Sequence, residues 1–491
     1  GNNFEDCIYH RMMESGEAQV IEDLETFENK TMIEELLLKR GMRSIMVAPL
    51  LYEGEALGGL EIASPHPGKM NATSAMLLDE IMPIFSLAAR RSLEEMENRL
   101  QAFIKEQYTA VHPAVEWRFA QAANRQMQQQ QKSSFGENEP IIFNNVYPLF
   151  AQSDVRGSST ERSKAIQSDL LQQLQLADDT LGIIIASKPL NTVKELRYRL
   201  EKFRQNVATG LGSGDETSVL HFLRSEVEPM IKHFEGVGVL SAEQTGAYFN
   251  ALDPELGVLY NARRSFEESL TRINDTVSHY IDEQQLLAQQ AFPHYFEKYK
   301  TDGVEYNIYI GESIAPGKNF SQIYLSELRL WQLKLTAEVA IIAHRLKDQL
   351  TLPLETTHLI LVNNSSIAIR FREDEKKFDV DGAYNIRYEI VKKRIDKVNI
   401  KDTNERLTQP GMIAIVFSQE KDAEEYLQYI RYLQHLGIVE KEVERHKLEE
   451  LQGVSGLNAL RVRVKMEQPD ERHSFPENTL KQILQEAREE A

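Results

Sequence analysis

Residues Met42–Lys69, MRSIMVAPLLYEGEALGGLEIASPHPGK, decide how the first part of this chain is read. Ile45 to Leu51 is an apolar run, Glu53-Gly54-Glu55 supplies turn residues, and a second run, Leu57 to Ala63, opens with Gly58-Gly59. Two such runs about a glycine turn predict a β-hairpin. Upstream, residues 17–25 (EAQVIEDLE) predict a short edge strand, and Lys30 to Lys39 a helix stopped by Gly41. Downstream, Thr73-Ser74 caps a helix in which Leu77, Ile81, Ile84, Ala88, Met96, Leu100 and Phe103 recur mostly at steps of three and four. A single stripe of that spacing fits a second helix, which predicts a homodimer.

Arg43-Ser44 before the first strand, Pro49-Leu50 inside it, the Glu53-Gly54-Glu55 turn and the Gly58-Gly59 opening of the second strand give this region a family likeness. It resembles the C-terminal half of a GAF domain, and the resemblance covers residues 17 to about 100. The resemblance implies an antiparallel sheet with a small-molecule pocket on one face, here the face bearing alternate residues of Ile45 to Leu51 and Leu57 to Ile62. GAF domains of the cyclic-nucleotide type carry Asn-Lys, then Phe, then Asp-Glu. Asp79-Glu80 match, but Ala75 stands at the Phe position and Ser64-Pro65-His66 where Asn-Lys would lie, so cyclic-nucleotide binding is not expected. Cys7 lies outside the matching region, so a tethered bilin is not expected either.

The remaining sequence divides by pattern. The Gln-rich stretch Gln126 to Gln131, with Lys132-Ser133-Ser134 and Gly136, reads as a linker or loop over 124–140 that marks a domain boundary. From Ser158 to about His294 the pattern is helical, with breaks such as Gly210 to Gly214, and only Leu181 to Ser187 (LGIIIAS) reads as a strand-like or buried apolar run. The last third alternates strands (Val304 to Gly311, His358 to Val362 and Ser366 to Arg372 about an Asn363-Asn364 turn, Met412 to Phe417, Ala459 to Met466) with helices (Phe320 to Leu350, Tyr384 to Val398, Asp422 to Leu436). The expected organisation is therefore an α+β multidomain chain: a partial GAF-like antiparallel sheet with a long exit helix (1–112), a linker and extended segment (113–157), a central helical bundle (158–295), a C-terminal α+β domain with an antiparallel sheet (296–468), and an acidic tail helix (469–491).

Composition narrows the function. With 56 Lys plus Arg against 75 Asp plus Glu, the formal net charge is −19, which repels phosphate backbones and argues against nucleic acid as a partner. One cysteine excludes an internal disulfide and any multi-cysteine metal site, and a reducing, cytoplasmic setting is expected. No apolar run approaches the roughly 20 residues a membrane span needs, and the opening residues lack the pattern of a secretory signal.

The densest polar cluster is Asp154-Val155-Arg156-Gly157-Ser158-Ser159-Thr160-Glu161-Arg162, at the start of a helix. Arg156, Ser158, Ser159 and Arg162 would suit a phosphate or carboxylate ligand. The same residues also read as a capping box, Ser158 with Glu161, with Asp154 paired to an arginine. Gly210 to Asp215 (GLGSGD) lacks the Gly-Lys-Ser/Thr ending of a phosphate loop and reads as a helix connection, and His221 with His233 lacks a third metal ligand. Phe371 to Asp381 (FREDEKKFDVD) reads as a mixed-charge turn, and Tyr426, Tyr429 and Tyr432 as packing residues. No catalytic residues, cofactor or metal are assigned. The expectation is a non-catalytic regulatory protein whose GAF-like module senses a small molecule and couples it through the exit helix. The alternatives are a dimerisation platform without ligand, and an enzyme acting on a phosphorylated or carboxylated metabolite.

Overall fold

The computed structural model describes residues 6–108, 111–131, 139–212, 214–382, 386–451 and 454–467; the predicted tail helix lies outside them. The chain has a multidomain α+β fold and separates into two compact units, residues 1–111 with 116–139, and residues 112–115 with 140–491.

The first unit contains α1 (Ile8–Ser15), β1 (Gln19–Ile21), α2 (Met32–Lys39), β2 (Ser44–Tyr52), β3 (Glu55–Ser64) and α3 (Ala72–Tyr108), followed by α4 (Pro113–Gln131), which begins in the second unit. The predicted hairpin forms the three-stranded antiparallel sheet β1-β2-β3. Glu53 and Gly54 both have positive φ, the geometry of a two-residue hairpin turn whose twist matches the strands. Arg43 donates to both oxygens of Asp23 at 3.0 and 2.9 Å, and Ser44 Oγ donates to the His66 carbonyl at 2.8 Å, so the Arg43-Ser44 pair ties the strand start to the loops around it. Both faces of β2 are covered by helices. Ile45 and Val47 pack with Ile8 and Met12 of α1 and Leu37 of α2, while Met46 and Ala48 pack with Leu78 and Met82 of α3. The β2 part of the face expected to hold a pocket is thus covered by the chain's own side chains, while Leu57, Leu60 and Ile62 of β3 are half-buried.

Helix α3 bends by 49° between Ala72–Leu78 and Glu80–Glu94. Pro83 lacks the N–H that would donate to the carbonyl of residue 79, and its ring crowds that carbonyl. Among the described residues, no single helix is long and apolar enough to cross a membrane.

The second unit begins with β4 (Ile142–Val155) and a helical array: α5 (Ser158–Ser187), α6 (Asn191–Thr209), α7 (Asp215–Phe222), α8 (Glu228–Gly236), α9 (Ala242–Phe249) and α10 (Asn261–Ala291), with one π-helical turn, Leu223–Val227, between α7 and α8. Then come β5 (Tyr295–Lys300), β6 (Gly303–Ile310), α11 (Gln322–Lys347), β7 (Thr356–Leu361), β8 (Ile367–Arg372), β9 (Lys377–Asp381), α12 (Ile386–Lys392), a 3₁₀ turn at Ile395–Lys397, β10 (Met412–Phe417), α13 (Glu420–His435), β11 (Val439–Lys447) and β12 (Asn458–Val464).

The sheet runs β11-β12-β10-β7-β4-β6-β5, with β8 added to β4 and β9 to β8. All pairs are antiparallel except β7 with β10, so the predicted purely antiparallel sheet is corrected to a mixed one. The segment 113–157, expected to be a linker followed by an extended segment, has its extended part as the central strand β4, while the Gln-rich stretch Gln126 to Gln131, expected to be loop, continues helix α4. β4 is long enough to pair with β6 on one edge and with β7 and then β8 on the other. Asn363-Asn364 therefore does not close a hairpin; the chain continues in line along β4. Leu181 to Ser187 forms the last turns of α5, because burying Leu181 and Ile184 against Val193 and Leu196 overrides the weak strand preference of three consecutive isoleucines.

One face of the sheet carries α10, α11 and α13, whose apolar residues form a core with Leu149, Ala151, Val304, Ile308, Ile360 and Ile413. Because α10 belongs to that core, the expected division at residue 295 does not separate the helices from the sheet. Helices α5 to α9 close a second core around Leu170, Leu174, Leu200, Ile231 and Tyr248. Asp169 of α5 joins the two cores by accepting from the backbone N–H groups of Ala262 and Arg263 at the start of α10, and from Arg263 Nε at 3.0 Å.

Candidate functional site

Strand β4 hands over to α5 through Arg156 and Gly157, and Gly157 has φ +65°, a left-handed conformation that other residues adopt at a cost. This turn fixes where the four predicted ligand residues go. Ser158 Oγ donates to Asp302 Oδ2 at 2.7 Å, and an Arg162 guanidinium N–H donates to Asp302 Oδ1 at 2.7 Å. The same guanidinium lies 5.5 Å from the centroid of the Phe266 ring. Arg156 donates instead to Gln409 Oε1, and Ser159 is exposed, its carbonyl accepting from Ser163 Oγ at 2.9 Å. Two of the four residues therefore converge, on a carboxylate supplied by the chain itself. The alternative capping box does not form: Ser158 makes no cap bond, and Glu161 pairs with Lys164.

Asp302 occupies the turn between β5 and β6, followed by Gly303. A Cβ on Gly303 would lie 2.3 Å from the Ser153 carbonyl and 2.6 Å from Asp154 Cα, so only glycine allows β6 to approach β4 here. Asp154 stands beside it on the sheet face opposite α10 and α11, with Asp396 of the 3₁₀ turn nearby. Burial first, then the charges of Asp396 and Asp302, push the Asp154 carboxyl up to about 7, and Lys397 only partly offsets them. Burial also raises Asp396, against the pull of Lys397 and Arg406. A carboxyl of this kind exchanges its proton near neutral pH, the property of a general acid or base. Among the described residues no group of three or more His, Cys, Asp or Glu is placed to hold a metal ion.

The other sequence candidates have structural roles. Gly210 to Asp215 links α6 to α7, with the Gly212 N–H donating to Asp215 Oδ2 at 2.6 Å. His221 and His233 are exposed. Phe371 to Asp381 is the β8–β9 hairpin, laced by Arg370 to Asp381 at 3.1 Å and Arg372 to Asp379 at 3.6 Å. Tyr426 and Tyr429 pack edge to face at 5.6 Å between ring centroids. A groove of about 710 Å³ lies along Lys401–Asn404, Lys447–Glu450 and Gly456–Asn458, its walls of mixed charge.

Sequence reading missed Asp302 and Asp396. Thr301-Asp302-Gly303 between Tyr295–Lys300 and Val304–Ile310 was the signal for Asp302, since a turn pair between two alternating runs marks a hairpin. Nothing local marks Asp396.

No protein-family model matches this chain, and no curated protein does. Among solved structures, it is similar to the crystal structure of the guanylyl cyclase Cya2, at 15% identity over 40% of this chain and 80% of that one, with a TM-score of 0.22. A likeness of that size assigns neither a family nor an activity.

Proposed function

We propose that this chain is a non-catalytic regulatory protein of the cytoplasm, whose N-terminal unit is a GAF-like module that pairs two copies through α3 and holds no small molecule on the β2–β3 sheet. The observation that supports it is the division of α3 into two apolar rows. Leu78 and Met82 face the sheet and are buried, while Leu77, Ile81 and Ile84 are 64%, 44% and 69% exposed. The exposed row keeps the four-then-three spacing of a helix-pairing seam, and a second copy of the same helix supplies the complementary row. The covered faces of β2 speak for a platform over a sensor, because α1, α2 and α3 already fill them.

Native mass spectrometry of the intact protein tests both halves. The expected result is a dimer with no added mass. A monomer overturns the pairing role, and a dimer retaining a small molecule restores the sensing role.

A second reading, an enzyme acting on a phosphorylated or carboxylated metabolite, draws on Asp154 and on Ser158 with Arg162. In it an anion displaces Asp302 from Ser158 and Arg162, and Asp154 exchanges the proton. Inorganic phosphate should then raise the unfolding temperature of the wild-type protein and not that of Arg162→Ala.

A further inference from the structure

The sheet face opposite α10 and α11 is polar and half-buried, with Phe150 and Asn307 fully buried within it. Cross-strand register sets out its pattern. Glu297, Asn307 and Phe150 lie in one row across β5, β6 and β4, and Tyr299, Glu305 and Gln152 form the next row. Helix α12 lays Lys392 over these rows: its Nζ is 5.5 Å from the centroid of the Phe150 ring and 3.5 Å from Glu389 Oε1. Asn307 is fully buried, and its Nδ2 donates to Glu297 Oε1 at 3.0 Å, which fixes its carbonyl oxygen as the free end; that oxygen has no partner. The Tyr388 hydroxyl of α12 is buried and also without a partner.

We propose that this face of the sheet is a binding site for a ligand carrying a primary ammonium group, and that α12 fills it in this structure with Lys392 as an internal occupant. The chemistry is matched to such a group. An ammonium has three N–H donors and a full charge, and the face supplies two carboxylates, an unused amide oxygen and an aromatic ring. Burial pushes both Glu297 and Glu305 up, and for each the charge of Lys392 is the foremost influence in the other direction. A quaternary ammonium has no N–H for Asn307 Oδ1. The site lies in the second unit and is independent of the pairing role of α3.

The test uses the full chain with Lys392→Ala and n-butylammonium, which is the whole lysine side chain, Cβ to Nζ, as a free molecule. Thermal unfolding is followed at constant ionic strength against sodium and tetramethylammonium chlorides. Butylammonium should raise the unfolding temperature of Lys392→Ala at about tenfold lower concentration than it needs with wild type, because the internal occupant is gone. Adding Glu297→Gln should weaken that response. Equal responses of the variant and wild type, or an equal effect of tetramethylammonium, overturn the proposal. Should Lys392→Ala fail to fold, Lys392→Met keeps the stem and takes its place. In the wild-type protein, butylammonium should also speed hydrogen exchange across residues 388–393, and unchanged exchange there overturns the view of α12 as a displaceable cover.

Discussion

Glu34 and Asp154 are both carboxylates removed from water, and their neighbours drive their protons in opposite directions. Glu34 accepts from the Ile8 N–H at 2.7 Å, from the Thr31 N–H at 3.0 Å and from the Thr31 hydroxyl, and it lies 3.8 Å from Arg11. Burial pushes this carboxyl up, but the hydrogen bonds outweigh it and hold the group below the usual carboxylate range. Glu34→Ala leaves buried donors unpaired and should destabilise the first unit by about 1 to 3 kcal/mol, with Glu34→Gln costing less because one acceptor remains. Denaturant titration followed by circular dichroism checks the order, and equal losses for the two variants would refute it. Asp154 has burial and two like charges against it, so its proton is retained to about 7. Asp154→Asn should therefore raise the unfolding temperature most at pH 8, where the folded wild-type group is forced to ionise, and less at pH 5, where the folded group is still neutral and only the unfolded chain has released the proton.

At the scale of elements, α3 offers the sharpest contrast between neighbours. Leu77 is 64% exposed and Leu78 only 4%. Leu78→Ala should cost about 2 to 4 kcal/mol through the cavity it leaves against Met46 and Ala48. If α3 pairs two copies as proposed, Leu77→Glu or Ile84→Glu should leave the unit folded and give a monomer, as read by light scattering after size exclusion; a dimer that survives both substitutions refutes pairing through α3. The helix itself was legible in the sequence from its three-and-four spacing. Which row faces the sheet was not, since Leu77-Ile81-Ile84 and Leu78-Met82 satisfy the same periodicity one residue apart. The hairpin of β2 and β3 was legible for the same kind of reason, two apolar runs about Glu53-Gly54. Strands β5 (YFEKYK) and β11 (VEKEVERHK) were missed because charged residues occupy them, and local sequence does not distinguish a charged strand at a sheet edge from an exposed loop.

Across the whole molecule, the contacts that build the candidate site join residues far apart in sequence: Ser158 and Arg162 meet Asp302 across 144 and 140 positions. Each residue was visible as polar, and their convergence was not, because it follows from β4 entering the sheet beside β6. Burial on this scale also sets the pH response. Asp154 and Glu338 rise to about 7 from 3.8 and 4.5, while His294 and His358 fall to about 4 from 6.5, with burial the first cause in all four. Between pH 4.5 and 6.5 the folded chain keeps two carboxyl protons that the unfolded chain has released, and lacks two imidazolium protons that the unfolded chain holds. Stability rises with pH where the unfolded state binds more protons, so the histidines make it rise over this window and the acids make it fall. The four contributions oppose one another and largely cancel. Removing one group shifts the profile relative to wild type: His358→Asn should lose stability relative to wild type from pH 4.5 to 6.5, and Asp154→Asn should gain it from pH 4.5 to 7. Unfolding temperatures of the two variants and wild type at pH 5, 6 and 7 decide it, since parallel profiles for all three would mean that neither group changes its proton affinity on folding.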